Sequence, residues 1–279
     1  MPSLRELTVE TLTHLMEDGQ TQLALDASAR SILRNWMLAA RRSTAPHPPQ
    51  QPAPEAEPAP TPATPAPAAP NTVEEKLAYL QMRAQNWKPA RTLGTLRDTM
   101  VFATGNPHAR LMLVGEAPGY DEERLQEPFV GRAGQKLNQI LAAANLPREE
   151  VYISNICKFR PAMGANQGIS NRPPSDEEIA ACLPLIMAEI RAIRPTCIIC
   201  LGGTAAKGLL GAAASVSSLR GKWFECQGIP VRVTYHPSYL LRNDTPTAKR
   251  AVWEDFLATM EKLGLNITPR QRAYFLPSS

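Results

Sequence analysis

Four short apolar runs, each followed by a segment of helical periodicity, constrain this chain more than any other feature. They are Leu111–Val114, Val151–Ile156, Thr196–Leu201 and Val231–Tyr235. Between them, Gly134–Ala144 sets Leu137, Ile140 and Leu141 on one helical face, and Asp176–Ile193 opens with the capping pattern Ser175-Asp-Glu-Glu178. A short helix is expected from Gly202-Gly203-Thr204 to Leu210, another at Val73–Asn86, and Ala248–Leu263 closes the series. Strands that read as unbroken apolar runs are buried on both faces, and a parallel sheet achieves this by laying crossover helices on either side. The expected fold is a three-layer α/β/α arrangement around a mainly parallel four-stranded sheet, preceded by a small N-terminal helical segment.

Proline marks where that body begins. Eleven of the 27 prolines fall between Pro46 and Pro70, interleaved with Ala, Thr, Gln and Glu. A stretch without aromatic residues or apolar side chains larger than Ala cannot offset the entropy of ordering its backbone. Residues 43–71 therefore read as a disordered, semi-extended spacer. It separates a segment over 1–42 from a body over 72–265 and a tail over 266–279. In the first segment Leu4, Leu7, Leu12 and Leu15, then Ile32, Leu33, Trp36 and Leu38, recur at helical spacing. Two helices of that size bury little alone and are expected to dock on the body, on another copy or on a protein partner.

The net charge of +4 permits nucleic-acid binding without requiring it. All five cysteines (Cys157, Cys182, Cys197, Cys200 and Cys226) lie in the body. No basic-then-apolar leader is visible, and no apolar run reaches the ~18 residues of a membrane span. These features lead to the expectation of a cytoplasmic protein with reduced thiols.

In an open parallel sheet, ligands bind outside the carboxyl ends of the strands. The first run ends in Gly115-Glu116-Ala117-Pro118-Gly119, the second in Asn155, the third in Gly202-Gly203 and the fourth in His236-Pro237-Ser238. A carboxylate, an amide, a glycine turn and an imidazole thus share one rim. Cleavage of an N-glycosidic bond suits this set. The base leaves with negative charge, which a His donor would stabilise. An Asn side chain supplies the donor and acceptor that match the O4 and N3–H edge of uracil. Phe129 is placed to stack on an extruded base, and Glu116 to orient water or stabilise a cationic sugar. Amides at Gly202, Gly203 and around Ser238 would hold flanking phosphates.

At this point residues 101–256 resemble the type-4 branch of the uracil-DNA glycosylase superfamily. The matching stretches are Gly105-Asn-Pro-His-Ala-Arg110, Val114-Gly-Glu-Ala-Pro-Gly119, Pro128-Phe-Val-Gly-Arg-Ala-Gly134 and Tyr152-Ile-Ser-Asn155 with Lys158 and Arg160-Pro161. Leu201-Gly202, Leu219-Arg-Gly221 and Thr234-Tyr-His-Pro-Ser-Tyr-Leu-Leu-Arg242 follow in order. The resemblance implies that Glu116 lies in a water-activating loop and that Gly115, Ala117 and Gly119 border the base. It implies that Phe129 stacks on uracil, Asn155 reads its edge and His236 supports the leaving carbonyl. Gly202, Gly203, Pro237, Ser238 and Arg242 would then contact DNA, double- or single-stranded. The implied activity is monofunctional excision of uracil to leave an abasic site. A catalytically weak or inactive lesion-binding module of the same fold is the alternative, distinguished by DNA binding without base release. A nucleotide-binding enzyme would need a glycine-rich dinucleotide fingerprint or a phosphate-loop lysine, and neither is present.

The resemblance also implies a 4Fe-4S cluster on four cysteines, but those positions fall on Lys88, Arg91, Phe159 and Cys182. Only Cys182 carries a thiol, so no metal site is expected, and packing around Trp87, Leu93 and Phe159 would replace it. Cys157 is expected on a strand, on the face of Phe159 but a turn away. Cys197 and Cys200, three apart in a strand, would face opposite sides as buried apolar side chains. An insertion over 162–170 would either grip DNA or form a flexible surface loop. Asp121 and Glu122 are expected to face solvent, which leaves Glu116 as the first-loop carboxylate.

Overall fold

The computed structural model describes residues 70–164 and 166–276. The helices expected over 1–42, with any partner contact they make, and nearly all of the spacer lie outside the described residues. The body opens with α1 (Val73–Gln85), fixed by a reciprocal capping box between Thr72 and Glu75, and α2 (Lys88–Arg91). Then come β1 (Leu96–Met100), β2 (Ala103–Gly105), β3 (Leu111–Gly115), α3 (Tyr120–Leu125), α4 (Arg132–Ala143), β4 (Tyr152–Asn155) and β5 (Phe159–Pro161). The chain continues through α5 (Asp176–Ile193), β6 (Cys197–Leu201), α6 (Gly203–Leu210), α7 (Val216–Leu219), β7 (Trp223–Cys226) and β8 (Ile229–Thr234). It closes with α8 (Pro237–Arg242), α9 (Pro246–Lys262) and α10 (Pro269–Ala273).

The four apolar runs form the parallel centre of the sheet, as their burial requires. Two strands not anticipated add antiparallel edges, giving six in the order β2-β4-β3-β6-β8-β7. The four-strand expectation missed them for a physical reason. β2 has three residues, and β7 carries partly exposed ones, so neither shows the continuous apolar run of a strand covered on both faces. A separate antiparallel pair, β1 with β5, straps the segment after α2 to the chain leaving β4.

Alternate residues of each central strand enter different cores. Met112, Val114, Ile198 and Cys200 share one with Ile186 and Ile190 of α5, whereas Leu111, Leu113, Cys197 and Ile199 share the other with Leu137 of α4 and Phe256 of α9. Cys197 and Cys200 are thus buried on opposite faces, as their spacing implies, and burial pushes the Cys197 thiol up to about 12. The stretch expected as a tail carries α10. Gln271 is buried, its side-chain amide donates to the Ala143 carbonyl at 2.9 Å, and its own carbonyl accepts from Trp253 Nε1 at 2.6 Å.

One polar cluster lies entirely inside. Lys158 and Glu189 are both fully buried, with Nζ 2.5 Å from the carboxylate, which also accepts from Tyr152 Oη at 3.1 Å and Ser154 Oγ at 2.8 Å. Lys158 Nζ also donates to Ser154 Oγ at 2.5 Å and to the Asn155 carbonyl at 3.0 Å. Removing one partner strands the other charge in a low-dielectric core. Lys158→Met is therefore expected to destabilise the fold by about 3–5 kcal/mol in urea unfolding. Adding Glu189→Gln, which neutralises the stranded carboxylate, should recover part of that loss.

Candidate active site

β3 and β4 run parallel in a register that sets Gly115 beside Asn155, and β6 and β8 pair Leu201 with Thr234. The residues that follow therefore emerge together, at the point where the chain first turned to β4 on one side of β3 and then crossed to β6 on the other. A cavity of about 540 Å³ opens there. Glu116, Ala117, Gly119, Phe129, Asn155, Gly202, Gly203, His236, Ser238 and Arg242, all expected at the rim, line it. Gly115 and Pro237 stand just behind the wall, buried at the end of β3 and the start of α8.

Gly115 is required by crowding. A Cβ there would come within 2.4 Å of Asn155 Oδ1 and 2.5 Å of the Phe129 ring. Asn155 is only 2 % exposed, and its Oδ1 has no hydrogen-bond partner. Leaving a buried acceptor unpaired costs about 1–3 kcal/mol, so an acceptor held this way in a cavity wall is shaped for something that fills the cavity. Phe129 adopts a left-handed backbone (φ 56°), and Gly134 provides the room, because a Cβ there would strike the Phe129 carbonyl. The Phe129 and His236 ring centroids are 5.6 Å apart.

His236 caps α8. Its Nδ1 accepts from the Ser238 backbone amide at 3.2 Å and lies 2.8 Å from Ser238 Oγ. A backbone N–H only donates, so Nδ1 is the unprotonated nitrogen, and the neutral ring carries its hydrogen on Nε2. Burial, reinforced by Arg242, lowers the imidazole pKa to about 4. The ring is therefore a neutral Nε2–H donor at physiological pH. Gly202 (φ 98°) passes close beneath it; a Cβ there would sit 3.2 Å from His236 Cβ.

Glu116 is half-buried and accepts a hydrogen bond from the Thr204 hydroxyl at the start of α6, a contact spanning the crevice between β3 and β6. Glu122 corrects an expectation, because it does not face solvent. It lines the cavity, and its carboxylate accepts from the backbone amides of Gly119 (3.1 Å), Val130 (3.1 Å) and Gly131 (2.9 Å). It thereby fastens the Glu116 loop to the loop carrying Phe129. Asn171, Arg172 and Pro173 also line the cavity, although the sequence reading gave them no place. They lie outside every strand, so no strand-end rule located them; their Asn-Arg-Pro-Pro pattern was the sole signal.

Fold and rim together define a known class: the chain belongs to the uracil DNA glycosylase superfamily, whose family model matches residues 102–257, more than half of it. Its relatives narrow the assignment to the type-4 branch. A type-4 uracil-DNA glycosylase of Thermotoga maritima is 40% identical over 161 residues, covering 57% of this chain and 80% of that protein. Another, of Archaeoglobus fulgidus, is 40% identical over 153 residues, covering 52% of this chain and 73% of that protein. A third, of Sulfurisphaera tokodaii, is 36% identical over 195 residues, covering 66% of this chain and 83% of that protein.

The cluster implied by that branch does not match the donors present. The Arg91 guanidinium lies 4.3 Å from the centre of the Phe159 ring, so two of the four ligand positions are occupied by a cation and an aromatic ring stacked on one another. Arg91 is held there by the carbonyls of Gln85 (2.9 Å) and Asp98 (2.7 Å). Trp87 Nε1 donates to the Ala181 carbonyl at 2.7 Å, beside Cys182. Leu93, expected to pack here, stays half-exposed, and Arg91 makes the contact instead. Cys157 is not on a strand. It lies in the turn between β4 and β5, where hydrogen bonding with the Cys182 thiol, followed by burial, pushes its own thiol pKa up. Among the described residues no three His, Cys, Asp or Glu side chains converge to hold a metal ion.

His236 should titrate near pH 4 in the folded protein, read from its imidazole proton shifts in NMR, against an ordinary 6.5. Its folded pKa is depressed, so the stability held in the neutral ring is full above pH 6.5 and declines as pH falls toward 4. A midpoint near 6.5 would mean that the ring is not desolvated.

Proposed function

We propose that this protein is a monofunctional uracil-DNA glycosylase, which hydrolyses the N-glycosidic bond of deoxyuridine in DNA and leaves an abasic site. The unpaired Oδ1 of buried Asn155 carries this reading, since it is an acceptor waiting for an N–H in the wall of a cavity with ample room for a nucleobase. The extruded uracil stacks on Phe129, with Asn155 Oδ1 accepting from N3–H and its amide donating to O4. As the bond to C1′ breaks, negative charge gathers on the base. Neutral His236 donates its Nε2–H to the O2 carbonyl and stabilises that charge without transferring a proton, as its low pKa requires. Glu116, oriented by Thr204, directs water to C1′ and offsets the cationic character of the sugar. The oxygen of water becomes the C1′ hydroxyl, and its proton balances the departing uracil anion. No lysine lines the cavity, which supports hydrolysis without a lyase step.

Gly202, Gly203, Pro237, Ser238 and Arg242 would flank the DNA strand beside the extruded nucleotide, with the Gly203 amide and the Arg242 guanidinium offered to its phosphates. Extrusion costs a few kcal/mol and least where pairing is weak, so single strands and G·U mismatches are the favoured substrates. No helix among the described residues is long and apolar enough to cross a membrane. The five buried free thiols suit a reducing cytoplasm. The Arg91–Phe159 stack supports operation without an iron–sulfur cluster, because four convergent thiolates are needed to hold one.

Asn155→Ala and His236→Ala are each expected to lower single-turnover uracil release from oligonucleotides by about 10²–10³-fold with the thermal midpoint retained. Near-wild-type release by both would sink the assignment. The purified chain should hold substoichiometric iron and lack cluster absorbance. The combined Lys88→Cys, Arg91→Cys and Phe159→Cys variant should gain both.

A further inference from the structure

The Phe129 ring forms part of the cavity wall, yet its backbone sits in a region unfavourable to any residue with a Cβ (φ 56°). Such a conformation persists only where the surroundings impose it. Rotation at the Phe129 Cα has two handles, the peptide planes on either side. The plane that follows is held by Glu122, whose carboxylate accepts from the Val130 amide at 3.1 Å. The plane that precedes carries the Pro128 carbonyl, and that oxygen accepts from Arg148 Nη2 at 2.5 Å. Arg148 opens a single 3₁₀ turn, Arg148–Glu150, that leads into β4. Its contact therefore ties the Phe129 loop to the strand that ends at Asn155.

The guanidinium is itself set in place. Nη1 donates to Asn138 Oδ1 on α4 at 3.2 Å, and Nη2 also lies 3.1 Å from Glu127 Oε1. The Arg148 side chain is 18 % exposed, against 44 % for that of Glu127. An ion pair with a carboxylate so open to water contributes little. The bond to the Pro128 carbonyl is then the contact with a consequence for the site.

We infer that Arg148 is a positioning residue for base capture, because fixing the Pro128–Phe129 peptide keeps the Phe129 ring in the cavity wall. The inference rests on the glycosylase reading for the identity of the base, and it concerns a residue that does not itself line the cavity. With that peptide plane released, Phe129 returns to an ordinary backbone conformation, and its ring leaves its place against Gly115. The planar fork of arginine suits this task, since one group reaches a carbonyl, a carboxylate and an amide oxygen together.

Two measurements separate this role from a merely structural one. In the first, single-turnover uracil release from a U·G duplex and inhibition by free uracil are read for wild type, Arg148→Ala, Phe129→Leu and the double variant. Arg148→Ala is expected to release uracil about tenfold more slowly and to bind free uracil about tenfold more weakly, the scale of one base–aromatic stack. Its affinity for an undamaged duplex should equal that of wild type. The double variant should lose no more than Phe129→Leu alone, since both changes remove the same stack. Losses that multiply, weakened duplex binding, or release at the wild-type rate by Arg148→Ala would each overturn the proposal. Should alanine unfold the chain, Arg148→Lys, which keeps one donor, enters the same cycle with the same expectation.

The second measurement does not depend on activity. The His236 and Phe129 ring centroids are 5.6 Å apart, so the His236 imidazole protons report on that ring in NMR. They should shift in Arg148→Ala in the direction seen in Phe129→Leu; unmoved resonances would overturn the proposal. Should wild type release uracil from no oligonucleotide, the glycosylase reading fails, and the His236 shifts alone decide whether Arg148 holds the ring.

Discussion

The parallel registry of β3 on β4 sets Gly115 against Asn155, and the whole pocket is arranged around the space that this missing Cβ leaves. Any side chain there would collide with the amide oxygen and the aromatic ring at once. Everything nearby serves to keep those two groups close. Glu122 gathers three backbone amides to hold the Phe129 loop, and Gly134 yields room for its left-handed turn. Lys158 fixes the backbone of Asn155 from within the core. A one-residue slip of β4 would turn Asn155 to the other face and carry every side chain of this buried strand into the wrong core.

Buried charge is used in two ways. The Lys158–Glu189 pair lies below the pocket floor and positions it, whereas the groups facing the cavity are kept neutral or merely half-buried. His236 shows why this matters. An imidazolium would bind an anion more strongly, but a ring desolvated to this degree stays neutral, and it offers a donor whose direction is set by its bond to Ser238. Donors fixed in advance need not reorganise as charge develops.

Much of this was legible in the sequence because strands covered on both faces leave an unmistakable run of apolar residues, and their ends locate a ligand crevice without further information. Asn155, His236 and Glu116 were found that way, and Phe129 as a residue of the loop that follows the first run. What escaped was held by other means. The edge strands β2 and β7 lack two-sided burial and leave no such run. Glu122 was expected to face solvent, since nothing in a linear reading reveals that its carboxylate reaches amides from three residues behind it to nine residues ahead. Asn171 and Arg172 reach the cavity through an irregular segment anchored by Arg160, a contact of tertiary origin. Cys157 was placed on a strand because the turn after Asn155 is as apolar as the strand itself.

The stack of Arg91 on Phe159 has a bearing on how the molecule comes to exist. An inorganic cluster must be built elsewhere, delivered by dedicated carriers and defended from oxygen. A guanidinium resting on a phenyl ring forms when the backbone around it does, with no delivery step and no centre that an oxidant can dismantle. On the cluster-free reading proposed above, this corner of the domain is finished as soon as its backbone has folded.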